Sequence, residues 1–356
     1  MESTHTTWFL GSNSARGFHS LYNGFCSGDG DFLRVIKGGP GTGKSSFMRA
    51  IGKAAEDAGH FVEYIICSGD PDSLDGIYIP DFHLGYADGT APHVLDPDVF
   101  AADGDYLNIG EHCAAGGAFS MGNELRELNA GYKLHYRRAY ELLAAAASVS
   151  PALTMSYVSG EERAAACSRA AGIAARELPK SGSKLGRGPI RRFLGGLTCK
   201  GRYLAADTLA QLCPRLFLLD NRTGLGFEFT GELARQAQER KLDAIICPHW
   251  LCPERIEAVI FPELGLGYAA VDLLAAYPEQ HRRLHLDRMV SAETLRALRP
   301  QLREDEKIEE RLLVRAGQCL AAAKAVHDQL EAVYRPYVDF EALNRAVESE
   351  KRRIGL

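Results

Sequence analysis

Residues 32–59 constrain the fold more tightly than any other stretch of the chain. FLRVI (32–36) is a short apolar, β-branched run, KGGPGTGKSS follows it directly, and FMRAIGKAAEDAG comes next. The first reads as a buried strand. The last reads as a helix, because Phe47, Met48, Ile51, Ala54 and Ala55 recur at helical spacing and Gly59 marks a stop. A glycine-rich loop between a strand and a helix suits phosphate: glycines let backbone N–H groups surround anionic oxygens, and the helix dipole favours negative charge there. The expected cradle is Gly38, Gly39, Pro40, Gly41, Thr42, Gly43, Lys44 and Ser45, with Ser46 as a second hydroxyl. Lys44 is spaced to reach the β- and γ-phosphates, and the Ser45 hydroxyl to ligate Mg²⁺. The ligands this implies are ATP, with GTP as the alternative, and Mg²⁺.

The chain also repeats itself at a separation near 183 residues. FLGSNSARG (9–17) aligns with FLGGLTCKG (193–201), LRVI (33–36) with LFLL (216–219), IIC (65–67) with IIC (245–247), and IPDFHLGYA (79–87) with FPELGLGYA (261–269). Each copy ends in Ala-, Leu-, Glu- and Arg-rich material, 122–178 and 292–352, read as a helical hairpin beside its own sheet. The fold class expected is α/β, with two tandem P-loop NTPase-like domains of three-layer, parallel-sheet type and helical appendages. The domains span 1–180 and 193–356, joined by a glycine-rich, basic linker over 181–192.

The copies differ where phosphate would bind. Aligning Gly41 and Gly43 with Gly224 and Gly226 puts Phe227 in the place of Lys44 and Glu228 in that of Ser45, so the second loop lacks its ammonium and gains a repelling carboxylate. Asp72 and Asp81 align with Glu254 and Glu263, an acidity kept in both copies and read as structural. Asp88 aligns with Ala270 and vanishes together with the lysine and serine. That pattern nominates Asp88, at the end of LGYAD, as the acid serving Mg²⁺ with Ser45; a turn-forming Asp in DGT is the alternative. Asp70 is a candidate to position water. Arg16, with Lys200 as its counterpart, is either a cation reaching phosphate or a surface charge beside a turn. RLFLLDN looks like an acid-ending metal-binding strand, but Asp220 occupies the first-strand position of the second copy. His83, His93 and His112 show no nucleophile pattern, and Cys247, His249 and Cys252 form at most part of a zinc set.

FLGSNSARGF, VIKGGPGTGKSSFMR, DSLDGIYIPD and DGTAPHVLDP together resemble a family of duplicated bacterial P-loop NTPases, known mainly as ATPases of unknown function. The likeness runs over most of the chain and is densest between residues 8 and 98. It implies a P-loop fold and ATP binding and brings no established substrate. Members of that family commonly carry an intact GKS or GKT in both halves, so the second loop here is a departure.

A net charge of −5 supplies no overall positive field, so nucleic acid is not the expected partner. Nine cysteines without paired spacing and a start lacking basic and apolar signal regions point to the cytoplasm, and no apolar run reaches membrane-spanning length. The leading expectation is Mg²⁺-dependent ATP hydrolysis in the first half, using Lys44 and Asp88, with the second half structural or regulatory. A kinase acting on a small molecule or protein, and a nucleotide-sensing scaffold without turnover, are the alternatives. The protein partner or substrate is left open.

Overall fold

The computed structural model describes residues 4–91, 95–114, 120–181, 188–270 and 282–356. In the first half β1 (His5–Trp8) is followed by a hairpin, β2 (Gly11–Ser14) and β3 (Gly17–Ser20), then by β4 (Phe32–Lys37) and α1 (Lys44–Asp57). Next come β5 (Val62–Ile66), β6 (Leu74–Ile79), β7 (Leu84–Asp88) and β8 (Gly104–Asn108), and the helices α2 (Gly122–Val149), α3 (Pro151–Thr154) and α4 (Gly160–Glu177). The second half repeats the plan with β9 (Ile190–Arg191), a hairpin of β10 (Gly195–Thr198) and β11 (Gly201–Leu204), α5 (Ala206–Leu212), β12 (Arg215–Leu219) and α6 (Leu225–Glu239). It continues through β13 (Ile245–Pro248), β14 (Ile256–Phe261), β15 (Leu266–Ala269), β16 (Arg282–Leu284), α7 (Ala292–Tyr334) and α8 (Phe340–Ile354).

The fold is mixed α/β, with two six-stranded sheets of the same design. One runs β1-β5-β6-β7-β4-β8 and the other β9-β13-β14-β15-β12-β16. Within each, β6 or β14 runs against both neighbours while the remaining pairs are parallel. The expected all-parallel sheet is thereby corrected. Only residues 67–73 separate β5 from β6, too few for the crossover that a parallel pair demands.

Register also corrects the alignment of the copies. Both β5–β6 and β13–β14 carry an irregularity, between Ile65 and Ile66 and between Cys247 and Pro248. Cys247 therefore stands where Ile65 does, and His249 where Cys67 does. The shared letters IIC are a coincidence two residues out of step.

Both sheets bury both faces. Along β4, Leu33 and Val35 enter one core and Ile36 another; along β14, Ala258 and Ile260 separate in the same way from Val259 and Phe261. The core holding Leu33, Val35, Leu216, Leu218, Ala258 and Ile260 is common to the two sheets. The halves are thus fused through a shared interior, beyond the picture of two self-contained three-layer domains. The two halves also pair directly, Phe9 and Phe193 exchanging backbone hydrogen bonds of 3.0 and 2.9 Å. The hairpins cross over: Ala15 N donates to Leu251 O at 2.9 Å, and Cys199 N to Gly69 O at 3.1 Å.

The helices cross as well, so the expected hairpins beside their own sheets are not formed. The long helices α2 and α7 pack along each other, α4 lies on α6 of the second half, and α8 lies on α1 of the first. A helix's apolar stripe says that it is buried, not against what. Of the expected linker 181–192, residues 182–187 lie outside the described residues. Ile190 and Arg191 form β9 beside β13, and buried Arg192 meets Glu63 at 3.2 Å. Among the described residues no helix is long and apolar enough to cross a membrane.

What ties α8 to the first sheet is a buried ionic network. Glu350 accepts from Arg34 Nη1 on β4 at 2.6 Å, from Tyr86 Oη on β7 at 2.5 Å, and from Arg353 Nε at 2.9 Å. Burial pushes the Glu350 carboxyl up, but the hydrogen bonds from Arg353, Arg34 and Tyr86 outweigh it and hold the pKa down to about 2. Glu350→Ala is expected to destabilise the fold by about 1–3 kcal/mol, since it unpairs the buried Tyr86 hydroxyl and takes one of two carboxylate partners from Arg34, which keeps Asp105 at 2.8 and 3.1 Å. Because the folded pKa lies below the ordinary value of 4.5, the stabilisation is full above 4.5 and fades as pH falls toward 2. Chemical denaturation across that window should show a steeper acid loss in the wild type than in Glu350→Gln.

Candidate functional site

The loop from Gly38 to Gly43 leaves β4 and enters α1 as the sequence pattern requires. Helix α1 begins at Gly43, in the left-handed region at φ 91°, with no side chain capping it and no acidic residue in its first turn. A side chain at Gly43 would be strained by that φ and would collide with Leu343 of α8. Thr42 is buried and closes the loop, its hydroxyl donating to Gly39 O at 2.9 Å. Among the described residues no acceptor takes the N–H groups of Gly41, Gly43, Lys44 or Ser45. Donors at a helix start that no side chain caps are the groups an anion satisfies.

Lys44 folds back into the loop: Nζ donates to Gly38 O at 3.0 Å and Gly39 O at 2.9 Å, and lies 3.6 Å from Asp88 Oδ2. Asp88 arrives there because β7 pairs in parallel with β4, setting Asp88 opposite Ile36 at the carboxyl ends of both strands. Its other oxygen accepts from Thr90 N at 2.9 Å and Thr90 Oγ1 at 2.6 Å. Ser45 Oγ accepts from Leu74 N at 2.9 Å, while Ser46 is exposed and Pro40 half-buried. The structure thus gathers Lys44, Ser45 and Asp88 around one loop.

The second loop is built alike and filled from within. Along α1 and α6 the burial patterns match Phe47 to Phe229, Ile51 to Leu233 and Ala55 to Ala237, and the loop before α6 is one residue shorter. Lys44 therefore matches Gly226 and Ser45 matches Phe227, which shifts the sequence alignment by one. Contacts agree: a Cβ on Gly226 would touch Ala270, the counterpart of Asp88. Lysine and aspartate, an ion pair in one half, are both absent from the other. Glu228 stands aside from this loop, paired with Arg163 and Arg255, each at 3.1 Å.

Where an anion would sit on the second loop, the chain supplies Asp287. Its carboxylate accepts from Arg222 N at 3.2 Å, Thr223 N at 3.1 Å and Thr223 Oγ1 at 2.5 Å, while Asn221 Oδ1 caps Phe227 N at 3.3 Å. No local sequence signal announces Asp287, which lies 64 residues from Thr223.

Around the first loop the nearest foreign groups come from the second half. The Glu331 backbone on α7 abuts Gly41, Leu343 on α8 abuts Gly43, and Lys200 on the β10–β11 turn pairs with Asp72. Arg16 pairs with Glu254 in the second half, so it stands away from the first loop. The two aligned bases and two aligned acids thus form reciprocal cross-half pairs. Asp70 accepts from Asp72 N and Ser73 Oγ and faces Lys324 at 3.4 Å. Asp81 meets His60, His83 meets Asp31, and Asp220 meets His285, all within 3.0 Å. His112 gives its carbonyl to Asp339 N, and His93 lies outside the described residues.

Cys247, His249 and Cys252 do not assemble a metal site. His249 Nδ1 accepts from Cys252 N at 3.3 Å, and burial pulls its pKa down to about 3. Among the described residues the one group of three such ligands within mutual reach is His327, Asp328 and Glu331 on α7. No family model, curated protein or solved structure matches the chain.

Proposed function

We propose that the chain binds a nucleoside triphosphate with Mg²⁺ at Gly38–Ser45 and hydrolyses ATP there, and that its second half binds none. The contrast between the two loops carries this reading. One presents uncapped N–H donors, a lysine and an acid; its duplicate has lost the lysine and acid and holds its own carboxylate. An anion cradle kept open in one copy and plugged in the other is what a single working site requires.

The residues fit Mg²⁺. Ser45 Oγ accepts one hydrogen bond and keeps a second acceptor lone pair, and Asp88 adds a carboxylate oxygen. Mg²⁺ favours such a sparse set of hard oxygens and, when bound, neutralises charge on the terminal phosphates. Lys44 would leave the Gly38 and Gly39 carbonyls for the β- and γ-phosphate oxygens. The N–H groups of Gly41, Gly43, Lys44 and Ser45 would take the phosphates, and the Thr42–Gly39 bond would hold the loop's shape meanwhile.

Phosphate release is the test, with labelled ATP separating free phosphate from transfer to an acceptor. Asp88→Ala should slow release by about 10²-fold or more. Normal turnover by that variant would remove Asp88 from the site and leave the loop reading standing. A sensing role without turnover is favoured by one observation: α7 touches both loops, with Glu331 against Gly41 and Glu306 bonded to Arg222 at 2.8 Å.

A further inference from the structure

Lys324 belongs to the second half, yet its ammonium faces the first. Nζ stands 3.4 Å from Asp70 Oδ2 and also pairs with Asp328 on its own helix. Asp70 is joined to the loop through its neighbours. Its Oδ2 accepts from Ser73 Oγ at 3.2 Å, its carbonyl accepts from Ser73 N at 3.0 Å, and Leu74 donates its N–H to Ser45 Oγ. About two helical turns beyond Lys324, and so on the same face of α7, the Glu331 backbone abuts Gly41. This face runs from Asp70, where it places the Lys324 ammonium, to Gly41 of the loop. The Lys324 side chain is 29% exposed, so water competes for the Asp70 pair and the ammonium can exchange partners at small cost.

We infer that Lys324 senses the terminal phosphate: its ammonium leaves Asp70 for a γ-phosphate oxygen of the bound triphosphate, and the inert half thereby reads which nucleotide the other half holds. The inference rests on the nucleotide reading of Gly38–Ser45. A γ-phosphate concentrates more charge than one carboxylate, so the exchange trades one charge-assisted hydrogen bond for a stronger one. With a diphosphate no oxygen occupies that place, and Lys324 stays on Asp70. Movement of Lys324 pulls on α7, the helix that also holds Arg222 beside the plugged loop.

Calorimetric titration of the full chain with a Mg²⁺-loaded, non-hydrolysable ATP analogue and with MgADP tests this. The wild type should bind the analogue more tightly than ADP. Lys324→Met, which keeps the aliphatic stem, should lose analogue affinity on the order of tenfold and leave ADP affinity unchanged. Asp70→Asn removes the charge of the carboxylate that competes with the γ-phosphate, leaving the ammonium on Asp328 alone, and should raise the analogue-to-ADP ratio; it carries the test alone should Lys324→Met melt early. A ratio unchanged in both variants, or equal losses for both nucleotides, overturns the sensor role while the nucleotide site stands. A wild type that binds neither nucleotide overturns both.

Discussion

Lys44→Ala is expected to weaken MgATP binding by at least about two orders of magnitude, because it removes the one ammonium placed to meet both terminal phosphates. The variant should remain folded, since Lys44 contributes no core packing and its bonds go to loop carbonyls and Asp88. It should nonetheless melt slightly lower, because Asp88 keeps Thr90 but loses its cation. Adding Asp88→Ala should recover part of that loss without restoring binding. The double variant imitates the Gly226–Ala270 arrangement of the second half, where neither charge is present. A thermal-melt cycle over the two single variants and the double reads the coupling directly.

Asp287→Ala should cost about 2–3 kcal/mol, the largest effect expected from a single change near the second loop. Its carboxylate satisfies two backbone donors and the buried Thr223 hydroxyl at the start of α6, where the helix dipole also favours negative charge. Removing it leaves an open anion cradle without lysine. Inorganic phosphate or sulfate should therefore raise the melting temperature of Asp287→Ala more than that of Asp287→Asn, which retains an acceptor oxygen. Equal melting of wild type and Asp287→Ala in phosphate-free buffer would show that the loop does not depend on its internal anion.

Features written in local chemistry are legible in the sequence itself. Strand, glycine loop and helix follow one another within residues 32–57, and each is specified by its own side chains. The repeat is legible because strand order survived duplication. Asp88 is singled out through the second copy, where its carboxylate vanishes together with the loop's lysine and serine; its place 3.6 Å from Lys44 Nζ comes from the pairing of β7 with β4.

The remainder depends on contacts that sequence spacing does not encode. Glu350 meets Arg34 across 316 positions, and α8 gives no sign that its apolar face will seat on α1 of the other half. The one-residue shortening of the second loop displaces the alignment there, and only the burial pattern of α6 restores it. Identity misleads at IIC, where the shared strand irregularity, a property of pairing, sets the true equivalence. Arg16 and Lys200 are recognisable as counterparts from the repeated turn alone. That the hairpins swap halves, so that Lys200 rather than Arg16 approaches the intact loop, follows only from tertiary crossing.

One titration decides whether the duplicated chain holds a single nucleotide site. Calorimetry of MgATP into the wild type, Lys44→Ala and Asp287→Ala gives the stoichiometry of each. One nucleotide per wild-type chain and none per Lys44→Ala chain is the predicted outcome, with Asp287→Ala still binding one. Two nucleotides per wild-type chain, or undiminished binding by Lys44→Ala, would contradict the assignment of Gly38–Ser45 as the sole working cradle.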